Sequence, residues 1–334
     1  MSKIGILTFF DADNYGALLQ CYALSEFCKI NGYDVEVINY HSKQMFSWKH
    51  RLKRMVAKSL QNKRFDLNRR TFFEIGSTKD NYETLIVGSD QVWNPSIIKG
   101  DKNWIEPKIK YNKIISYAAS LGKGKLDDNE KTFLLGCNFN IYDWVSVREK
   151  TGQKLLEEIG VHSEVVCDPT LLFYDAPDAY NNLVDKSNLD SNNYIFVYSL
   201  EKSDKIDEIS KTLSKKYGYN ILSAHPANCK TQYCNEFIMD SDICDFLYLI
   251  KNAKMIITNS FHGLAFSYIY KKDVFAVCHT SLSSRQTDLI ENSGIEYEML
   301  DSSVFHINNY SNDQDMKKYT EKSRLLLRKA LSKQ

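Results

Sequence analysis

The sequence lacks a metal-binding cysteine pattern and a strong charge of either sign. Its 334 residues include eight cysteines, but none form a Cys-x-x-Cys pair, and the closest neighbours are Cys229 with Cys234 and Cys21 with Cys28. Because these spacings are not typical of zinc sites, we expect no bound metal. The formal net charge of +1 gives no general attraction to nucleic acid, and no zinc-finger or aromatic RNA-binding pattern is present. Nucleic acid is therefore not an expected partner.

A long hydrophobic run is also missing from the sequence. No apolar segment approaches the roughly 20 residues that cross a bilayer as a helix. A strand pattern begins directly after Met1-Ser2, without the basic and apolar regions of a secretory signal. Cys21, Cys28 and Cys278 lie in apolar segments and are predicted to be buried thiols. A reducing, cytoplasmic location fits both observations.

Strand and helix patterns alternate through both halves of the chain, which is typical of parallel sheets covered by helices. The 334 residues exceed the usual size of one domain, and the polar segment 185–193 has no periodicity and is predicted to be a linker. We therefore predict an α/β protein with two Rossmann-like domains, 1–185 and 186–312, and a charged amphipathic helix over 313–334. The predicted strands are 4–9, 35–40, 84–87, 113–117, 144–147, 194–199, 219–223, 255–258 and 274–278.

The most informative motif is Thr-Asn-Ser-Phe-His-Gly at 258–263, which lies between a predicted apolar strand and a predicted apolar helix. The N–H groups and the dipole at the start of such a helix favour anions, and ligands of α/β sheets collect at the carboxyl ends of the strands. The imidazole of His262 at this edge is suited to binding an anion or transferring a proton. The alternative is that Asn259 or Ser260 only caps the helix and that His262 packs in the interior.

Five other segments resemble 258–263 in placing small and polar residues beside predicted strands and turns. These segments are 13–20 (Asp-Asn-Tyr-Gly-Ala-Leu-Leu-Gln), 88–95 (Gly-Ser-Asp-Gln-Val-Trp-Asn-Pro), 116–122 (Ser-Tyr-Ala-Ala-Ser-Leu-Gly), 145–149 (Val-Ser-Val-Arg-Glu) and 168–172 (Asp-Pro-Thr-Leu-Leu). Each segment is common by itself, but their order and separations are distinctive. Taken together, they resemble the polysaccharide pyruvyl transferase family from about residue 4 to about residue 295.

The resemblance implies a fold and a reaction. The fold is a GT-B-type arrangement, in which two Rossmann-like domains face a central cleft. The reaction moves the enolpyruvyl carbons of phosphoenolpyruvate onto two hydroxyls of a sugar, forms a cyclic ketal and releases phosphate during synthesis of a bacterial surface polysaccharide. This chemistry needs binding groups for a carboxylate and a phosphate, an acid for the methylene carbon and a base for the hydroxyls. It requires no metal or redox cofactor.

The resemblance places the donor mainly in the second domain. His262 is the first candidate for proton transfer or for binding the donor phosphate, and Arg148 for bidentate binding of the donor carboxylate. The further residues assigned to the donor are Asn259, Ser260, the Gly263 N–H and Arg285. The alternative for Arg148 is an ion pair with Glu149 or with a carboxylate of the second domain, and for Arg285 a place on a helix surface.

The acceptor sugar is assigned to the loops of the first domain. The residues assigned to it are Asn14, Tyr15, Gln20, Gln91 and Trp93. Trp93 is expected to stack on a pyranose ring, and Asp90 to orient hydroxyls or act as the base. The alternatives are that Trp93 and Asn94 only fix a turn and that Tyr15 belongs to the core. Asp168 is predicted to cap a helix that begins with proline.

One segment departs from the neutral charge of the chain. Between residues 49 and 70 there are nine Lys or Arg residues and one acidic residue, Asp66. Apolar residues recur at helical spacing within and beside this segment, at Trp48, Leu52, Val56 and Leu60. One interpretation is a helix that rests on the anionic inner face of the membrane or holds a polyprenyl-diphosphate-linked glycan. The alternative is a solvated basic helix that packs on its own domain.

Two other functions remain open at the level of sequence. A GT-B glycosyltransferase would use a similar cleft for a nucleotide sugar, although no carboxylate for a nucleotide ribose is identifiable in the second domain. A non-catalytic glycan-binding subunit would keep the fold without turnover. The concentration of polar residues at the ends of several predicted strands favours an enzyme over such a scaffold.

Overall fold

The computed structural model describes residues 2–42, 60–225, 229–278 and 284–332. By its internal contacts the chain divides into two compact units. Unit 1 comprises 1–59, 66–172 and 319–334, and unit 2 comprises 60–65 and 173–318. Among the residues of the described ranges, no helix combines the length and the apolar character needed to cross a membrane.

Unit 1 contains a parallel sheet of five strands in the order β3-β2-β1-β4-β5. The central strands β1 and β4 are almost wholly buried, as expected for strands covered on both faces. Single bridges, Ile115 with Trp144 and Ala119 with Val147, join the end of this sheet to the β6–β7 pair. The strands are β1 Lys3–Leu7, β2 Asp34–Ile38, β3 Ile75–Gly76, β4 Asn81–Val87, β5 Lys110–Ser116, β6 Ser146–Val147 and β7 Glu164–Val165.

Helices of unit 1 connect and cover these strands. The side chain of Asn14 accepts a hydrogen bond from the Ala17 N–H and begins α1, which is buried along most of its length and ends before Gly32, where φ is 86°. The helices are α1 Tyr15–Ile30, α2 Leu60–Phe72, α3 Pro95–Ile98, α4 Asp128–Leu135 and α5 Lys150–Glu157. The first residues of α2, 60–65, belong to unit 2.

Unit 2 contains a sheet of seven strands in the order β10-β9-β8-β11-β12-β14-β13. The strands from β10 to β12 are parallel, whereas β14 is antiparallel to β12 and to β13. The predictions at 194–199, 219–223, 255–258 and 274–278 are confirmed as β8, β9, β11 and β12, and the other three strands were not predicted. The strands are β8 Tyr194–Tyr198, β9 Asn220–Ser223, β10 Glu236–Phe237, β11 Met255–Thr258, β12 Asp273–Val277, β13 Glu298–Asp301 and β14 Val304–Ile307.

The first complete α-helix of unit 2, Asn181–Val184, precedes the strands of its sheet in the sequence. The described helices that follow α5 are α6 Asn181–Val184, α7 Asp204–Tyr217, α8 Ile243–Asn252, α9 Phe261–Ile269, α10 Ser284–Ser293 and α11 Gln314–Leu331. Helix α6 packs against α8 of unit 2, so the contacts divide the chain between Leu172 and Phe173, ahead of the predicted boundary at 185. Residues 319–331 of α11 belong to unit 1.

In each sheet the strand order changes direction beside a central strand. In unit 1 the chain passes from β1 to β2 on one side, and β4 then lies on the other side of β1. In unit 2 the same relation holds for β8, with β9 on one side and β11 on the other. Loops leaving the carboxyl ends of such neighbouring strands diverge and open a crevice, which is where α/β proteins bind ligands. The residues after β1, β4, β8 and β11 are therefore the first places to look for function.

Candidate active site

A cavity of about 300 Å³ lies at the β1/β4 position of unit 1. Residues 8–12 after β1 and residues 90–91 after β4 contribute to its wall, as does the start of α1. Three of the predicted site residues reach it. Its lining residues are Thr8, Phe9, Phe10, Asp11, Ala12, Asn14, Ala17, Tyr40, Ser42, Asp90, Gln91, Ile97 and Trp104.

The loop after β4 fixes the position of Asp90. Gly88 has φ of 121°, and a Cβ atom there would lie 2.3 Å from the Tyr117 carbonyl oxygen, so no larger residue fits. Asp90 itself has φ of 69°, which is uncommon outside glycine and recurs at functional sites. Its carbonyl accepts hydrogen bonds from the N–H groups of Ser120 and Val92, at 2.9 and 2.8 Å. The carboxylate is thereby held at the sheet edge.

Gln20 joins the loops after β1 and β4. Its Nε2 donates to Thr8 Oγ1 at 2.9 Å, and its Oε1 accepts from the Ser89 N–H at 3.2 Å. Thr8 Oγ1 in turn donates to the Ser89 carbonyl at 3.0 Å. Gln20 and Tyr15 are both fully buried. Their predicted contacts with the acceptor are therefore corrected, since Gln20 positions the loops and Tyr15 belongs to the core.

Arg148 lies in a buried cluster of carboxylates rather than in the cavity wall. Its Nε donates to Glu149 Oε1 at 2.9 Å and its Nη1 to Asp168 Oδ2 at 2.8 Å, while its Nη2 is 4.0 Å from Asp90 Oδ1. Side-chain exposure is 2% for Arg148, 3% for Glu149 and 0% for Asp168, but 16% for Asp90. The predicted bidentate grip on a donor carboxylate is corrected, because ion pairs inside unit 1 engage the guanidinium.

The charges of this cluster explain the pKa of Arg148. Burial alone would lower the pKa of the guanidinium, but the negative charges of Glu149, Asp168 and Asp90 raise it above its ordinary value. Asp168 also accepts hydrogen bonds from the Thr170 N–H at 3.0 Å and the Thr170 hydroxyl at 2.7 Å. Its predicted capping role is thus confirmed, and a second role, the pairing with Arg148, was missed.

The aromatic wall of the cavity is not the predicted one. Trp93 is fully buried, with its ring edge-on to Phe139 at 5.2 Å and to Tyr142 at 5.5 Å. It offers no face to a sugar, and the predicted stacking role is corrected. The cavity is lined instead by Trp104 and Tyr40, whose ring centroids are 5.1 Å apart, and by Phe9. The sequence signal that was missed for Tyr40 is its place at the carboxyl end of the predicted strand 35–40.

In unit 2, Asn259 and Ser260 follow β11 at the position where the strand order changes. The side-chain oxygen of Asn259 accepts from the Leu200 N–H at 2.8 Å, which ties the ends of β8 and β11 together. Its Nδ2 is buried and has no hydrogen-bond partner among the described residues. Ser260 caps α9, because its hydroxyl accepts from the Gly263 N–H at 3.4 Å. The Gly263 N–H is thus already bonded to the cap. Of the predicted anion pocket, Asn259 and the start of α9 remain.

His262 lies in the first turn of α9. It is 8% exposed, and its ring is edge-on to Phe261 with centroids 5.2 Å apart. The helix approaches β11 closely at Gly263, where a Cβ atom would lie 2.4 Å from Thr258 Oγ1. Glycine is therefore required for this packing. The close approach of the helix also determines the distance of His262 from the sheet edge.

His225 is a second histidine at this sheet edge. It follows β9 by two residues and is 7% exposed, with its ring 5.6 Å from the ring of Tyr198, the last residue of β8. Burial lowers the pKa of His225 from its ordinary 6.5 to about 4. His225 was not predicted as a site residue, although it has the same sequence signal as His262, a histidine shortly after a predicted strand.

The low pKa of His225 predicts acid sensitivity. Between pH 6.5 and 4 the unfolded chain binds a proton at this imidazole that the folded chain excludes, so the free energy of unfolding falls as the pH falls through this window. The expected loss is on the order of 2 kcal/mol. Urea unfolding at pH 7 and pH 4.5 should show a smaller loss for His225→Gln than for the wild type. His162→Gln, at an exposed position, should keep the wild-type loss, and equal losses in all three proteins would contradict the assignment.

The remaining predicted residues belong neither to the cavity of unit 1 nor to the first turn of α9 in unit 2. Arg285 lies half-buried in the first turn of α10, which packs beside α9. In the basic segment, residues 49–59 lie outside the described residues. Arg64 pairs with Asp242 and Asp245 at 3.0 and 2.7 Å. Within the described part of the chain, no three His, Cys, Asp or Glu side chains are grouped so that they would hold a metal ion.

Comparison with solved structures shows the fold. A putative UDP-N-acetylglucosamine 2-epimerase from Listeria monocytogenes aligns with a TM-score of 0.50 and 11% identity, over 98% of this chain and 89% of that chain. The UDP-GlcNAc 2-epimerase from Neisseria meningitidis, bound to UDP-GlcNAc, aligns with 0.48 and 11%, over 97% and 94%. The heptosyltransferase WaaC from E. coli aligns with 0.38 and 10%, over 81% and 87%. With the parallel strands at the centre of both sheets, the first of these confirms the predicted fold class, two Rossmann-like domains of the GT-B type.

The sequence itself identifies the family. No curated protein matches the chain. The family profile described as polysaccharide pyruvyl transferase matches residues 14–279, which is most of the sequence. This range includes the candidate residues from Asn14 to Gly263, whereas Arg285 lies beyond its end. The chain is therefore a transferase and belongs to the polysaccharide pyruvyl transferase family.

Proposed function

We propose that the protein transfers the pyruvyl group of phosphoenolpyruvate onto two hydroxyls of a sugar, as a step in the synthesis of a bacterial surface polysaccharide. Both C–O bonds of the cyclic ketal form at the carbon that carried the phosphate. The two hydroxyls lose two protons in total. One proton is matched by the proton added to the methylene carbon, which becomes a methyl group, and the other leaves with the phosphate. The two units would divide the binding of acceptor and donor.

The observation that carries the proposal is the environment of Asp90. It is the most exposed carboxylate of the Arg148 cluster and lines a cavity with aromatic walls. Aromatic rings pack on the apolar faces of a pyranose, and a carboxylate accepts hydrogen bonds from its hydroxyls. A base in this position can also take a proton from an attacking hydroxyl. We assign acceptor binding and general-base catalysis to this cavity.

The donor is assigned to the start of α9 in unit 2. The buried Nδ2 of Asn259, which has no partner within the described ranges, is an N–H donor at the positive end of a helix. An anion there would receive a hydrogen bond and a favourable dipole interaction. His262 in the same turn would bind the phosphate or protonate the methylene carbon. Arg285 on the neighbouring α10 is the remaining candidate for the donor carboxylate.

Thermal unfolding with phosphoenolpyruvate tests the donor assignment. At about 100 times its Kd, a ligand that binds only the folded protein stabilises it by about 2.7 kcal/mol, so the melting temperature should rise. Asn259→Asp keeps the oxygen that accepts from Leu200 but places a negative charge beside the anion. This variant should lose the shift, and His262→Gln should reduce it. Asn192→Asp, at an exposed position, is the matched control and should keep the full shift.

The same thermal unfolding experiment with UDP and with CMP, together with an assay of phosphate release, distinguishes pyruvyl transfer from the two other functions. Phosphate release from phosphoenolpyruvate should depend on an added glycan. A thermal shift with a nucleotide alone would contradict the proposal and favour glycosyl transfer. Glycan binding without phosphate release would favour a non-catalytic subunit.

A further inference from the structure

A second cavity opens at the carboxyl edge of the same sheet in unit 1. Its volume is about 310 Å³, and it lies beside β2, on the other side of β1 from β4. None of the predicted site residues lines it. The lining residues are Leu7, Asn39, Tyr40, His41, Thr78, Asn103, Pro107, Lys108 and Ile109.

The two cavities share a wall. Tyr40 lines both of them, and its hydroxyl donates to Asp101 Oδ2 at 2.6 Å, which fixes the ring between the two chambers. Asp101 also caps the short 3-10 turn Lys102–Trp104. In this turn Asn103 lines the second cavity and Trp104 lines the first. One loop therefore contributes adjacent residues to neighbouring chambers.

A second link crosses between the chambers. The Nδ1 atom of His41, which lines the second cavity, is 3.0 Å from Oδ2 of Asp11, which lines the first. The second cavity thus continues the candidate acceptor site along the sheet edge and is not an isolated surface depression. Its volume, like that of the first, is at the lower end of the roughly 300–1,000 Å³ found for small-ligand sites, which suits one sugar ring in each chamber.

The chemistry of the second cavity also suits a sugar. The side-chain amides of Asn39 and Asn103 and the hydroxyl of Thr78 can exchange hydrogen bonds with ring hydroxyls. Tyr40 and Ile109 provide apolar surface for the faces of the ring. Lys108 adds an exposed cation at the edge of the chamber. Neutral hydrogen-bonding groups around a partly aromatic wall are the typical lining of a carbohydrate subsite.

We propose that this second cavity binds the sugar unit next to the one that receives the pyruvyl group, so that the acceptor is an oligosaccharide of at least two units. The inference rests on the proposed function, because it extends the acceptor site assigned to Asp90. It adds a specificity site, lined by Asn39 and Lys108 among others, that the transfer chemistry itself does not need.

The test compares acceptors that fill one chamber or two. Phosphate release from phosphoenolpyruvate is measured with methyl hexopyranosides and with disaccharides of the same hexoses. For the wild type, kcat/KM should be at least about tenfold higher with the disaccharide, which corresponds to one or two added hydrogen bonds. The double variant Asn39→Ala/Lys108→Ala should lose this ratio and keep the methyl hexoside value. Asn192→Ala/Lys110→Ala, also at exposed positions, is the matched control and should keep the ratio.

Saturation-transfer NMR with the same sugars separates failure of the subsite from failure of the proposed reaction. Equal kcat/KM values for the two acceptor lengths would overturn the subsite, as would a double variant that loses activity with both lengths alike. If no sugar promotes phosphate release but disaccharides bind better than methyl hexosides, and only the double variant loses this preference, the subsite is supported and the reaction is wrong. Absence of binding by every sugar would overturn the subsite.

Discussion

Replacing Asp90 by asparagine is expected to lower kcat for pyruvyl transfer by about 10²- to 10⁴-fold, the usual contribution of a general base. The variant keeps a side-chain oxygen for the Gln91 N–H, which Asp90 bonds at 2.8 Å. Asparagine also tolerates the left-handed backbone at this position, where φ is 69°. The loss should therefore reflect removal of the carboxylate and not collapse of the loop. Phosphate release with an active glycan acceptor, measured beside thermal unfolding, checks both statements.

Asp190→Asn provides the control for this substitution, because Asp190 is exposed and lies in the polar segment before β8. It should retain wild-type kcat. If Asp90→Asn were equally active, the base would have to be sought elsewhere. A variant inactive because it is unfolded would be recognised by its loss of a cooperative transition, and the thermal shift with phosphoenolpyruvate should persist in a folded Asp90→Asn protein.

The sequence was sufficient to locate the edges at which function is expected. The pattern of polar residues shortly after apolar strands predicted Asp90 and Asn259, and both lie where the strand order changes. This works because a strand is a local pattern, and the carboxyl ends of parallel strands share one edge. Strand β13 was missed because it has no such local pattern. Much of β13 is exposed at the sheet margin, so it lacks the apolar pattern of a central strand.

The direction of individual side chains could not be predicted in this way. Trp93 belongs to a polar turn, yet Phe139 and Tyr142 enclose it, and both are distant in sequence. The indole that reaches the cavity is Trp104, which no local motif marks. Burial of an aromatic ring depends on tertiary contacts that residue spacing does not encode.

Arg148 shows the same limit for a charged residue. From sequence, an arginine at the end of a strand is equally suited to binding a substrate carboxylate or an internal one. In the structure Asp90 and Asp168, 58 and 20 residues away, surround it together with its neighbour Glu149. Its contribution to function is then indirect, because it lies behind Asp90 and balances negative charge that would otherwise repel that carboxylate. This position predicts an effect on stability rather than on donor affinity.

Arg148→Met is expected to lower the free energy of unfolding by about 3–5 kcal/mol, because it leaves Glu149 and Asp168 buried without their cation. Arg70→Met, at an exposed position in α2, should cost less than about 0.5 kcal/mol. Urea unfolding at pH 7 measures both. The triple variant Arg148→Met/Glu149→Gln/Asp168→Asn removes the buried charges together and should recover much of the loss, since a neutral cluster does not pay for unpaired carboxylates.

The same variants decide between the two roles of Arg148. If the guanidinium only organises unit 1, the folded triple variant should bind phosphoenolpyruvate with a Kd within about twofold of wild type, because the donor is assigned to Asn259 and His262 in unit 2. If Arg148 instead gripped the donor carboxylate, its removal would weaken binding by about tenfold or more, the usual loss for a charged hydrogen bond. A small change in stability together with such a loss of affinity would contradict the structural role. Because the guanidinium is 2% exposed and bonded to two carboxylates, we expect the loss of stability and not the loss of affinity.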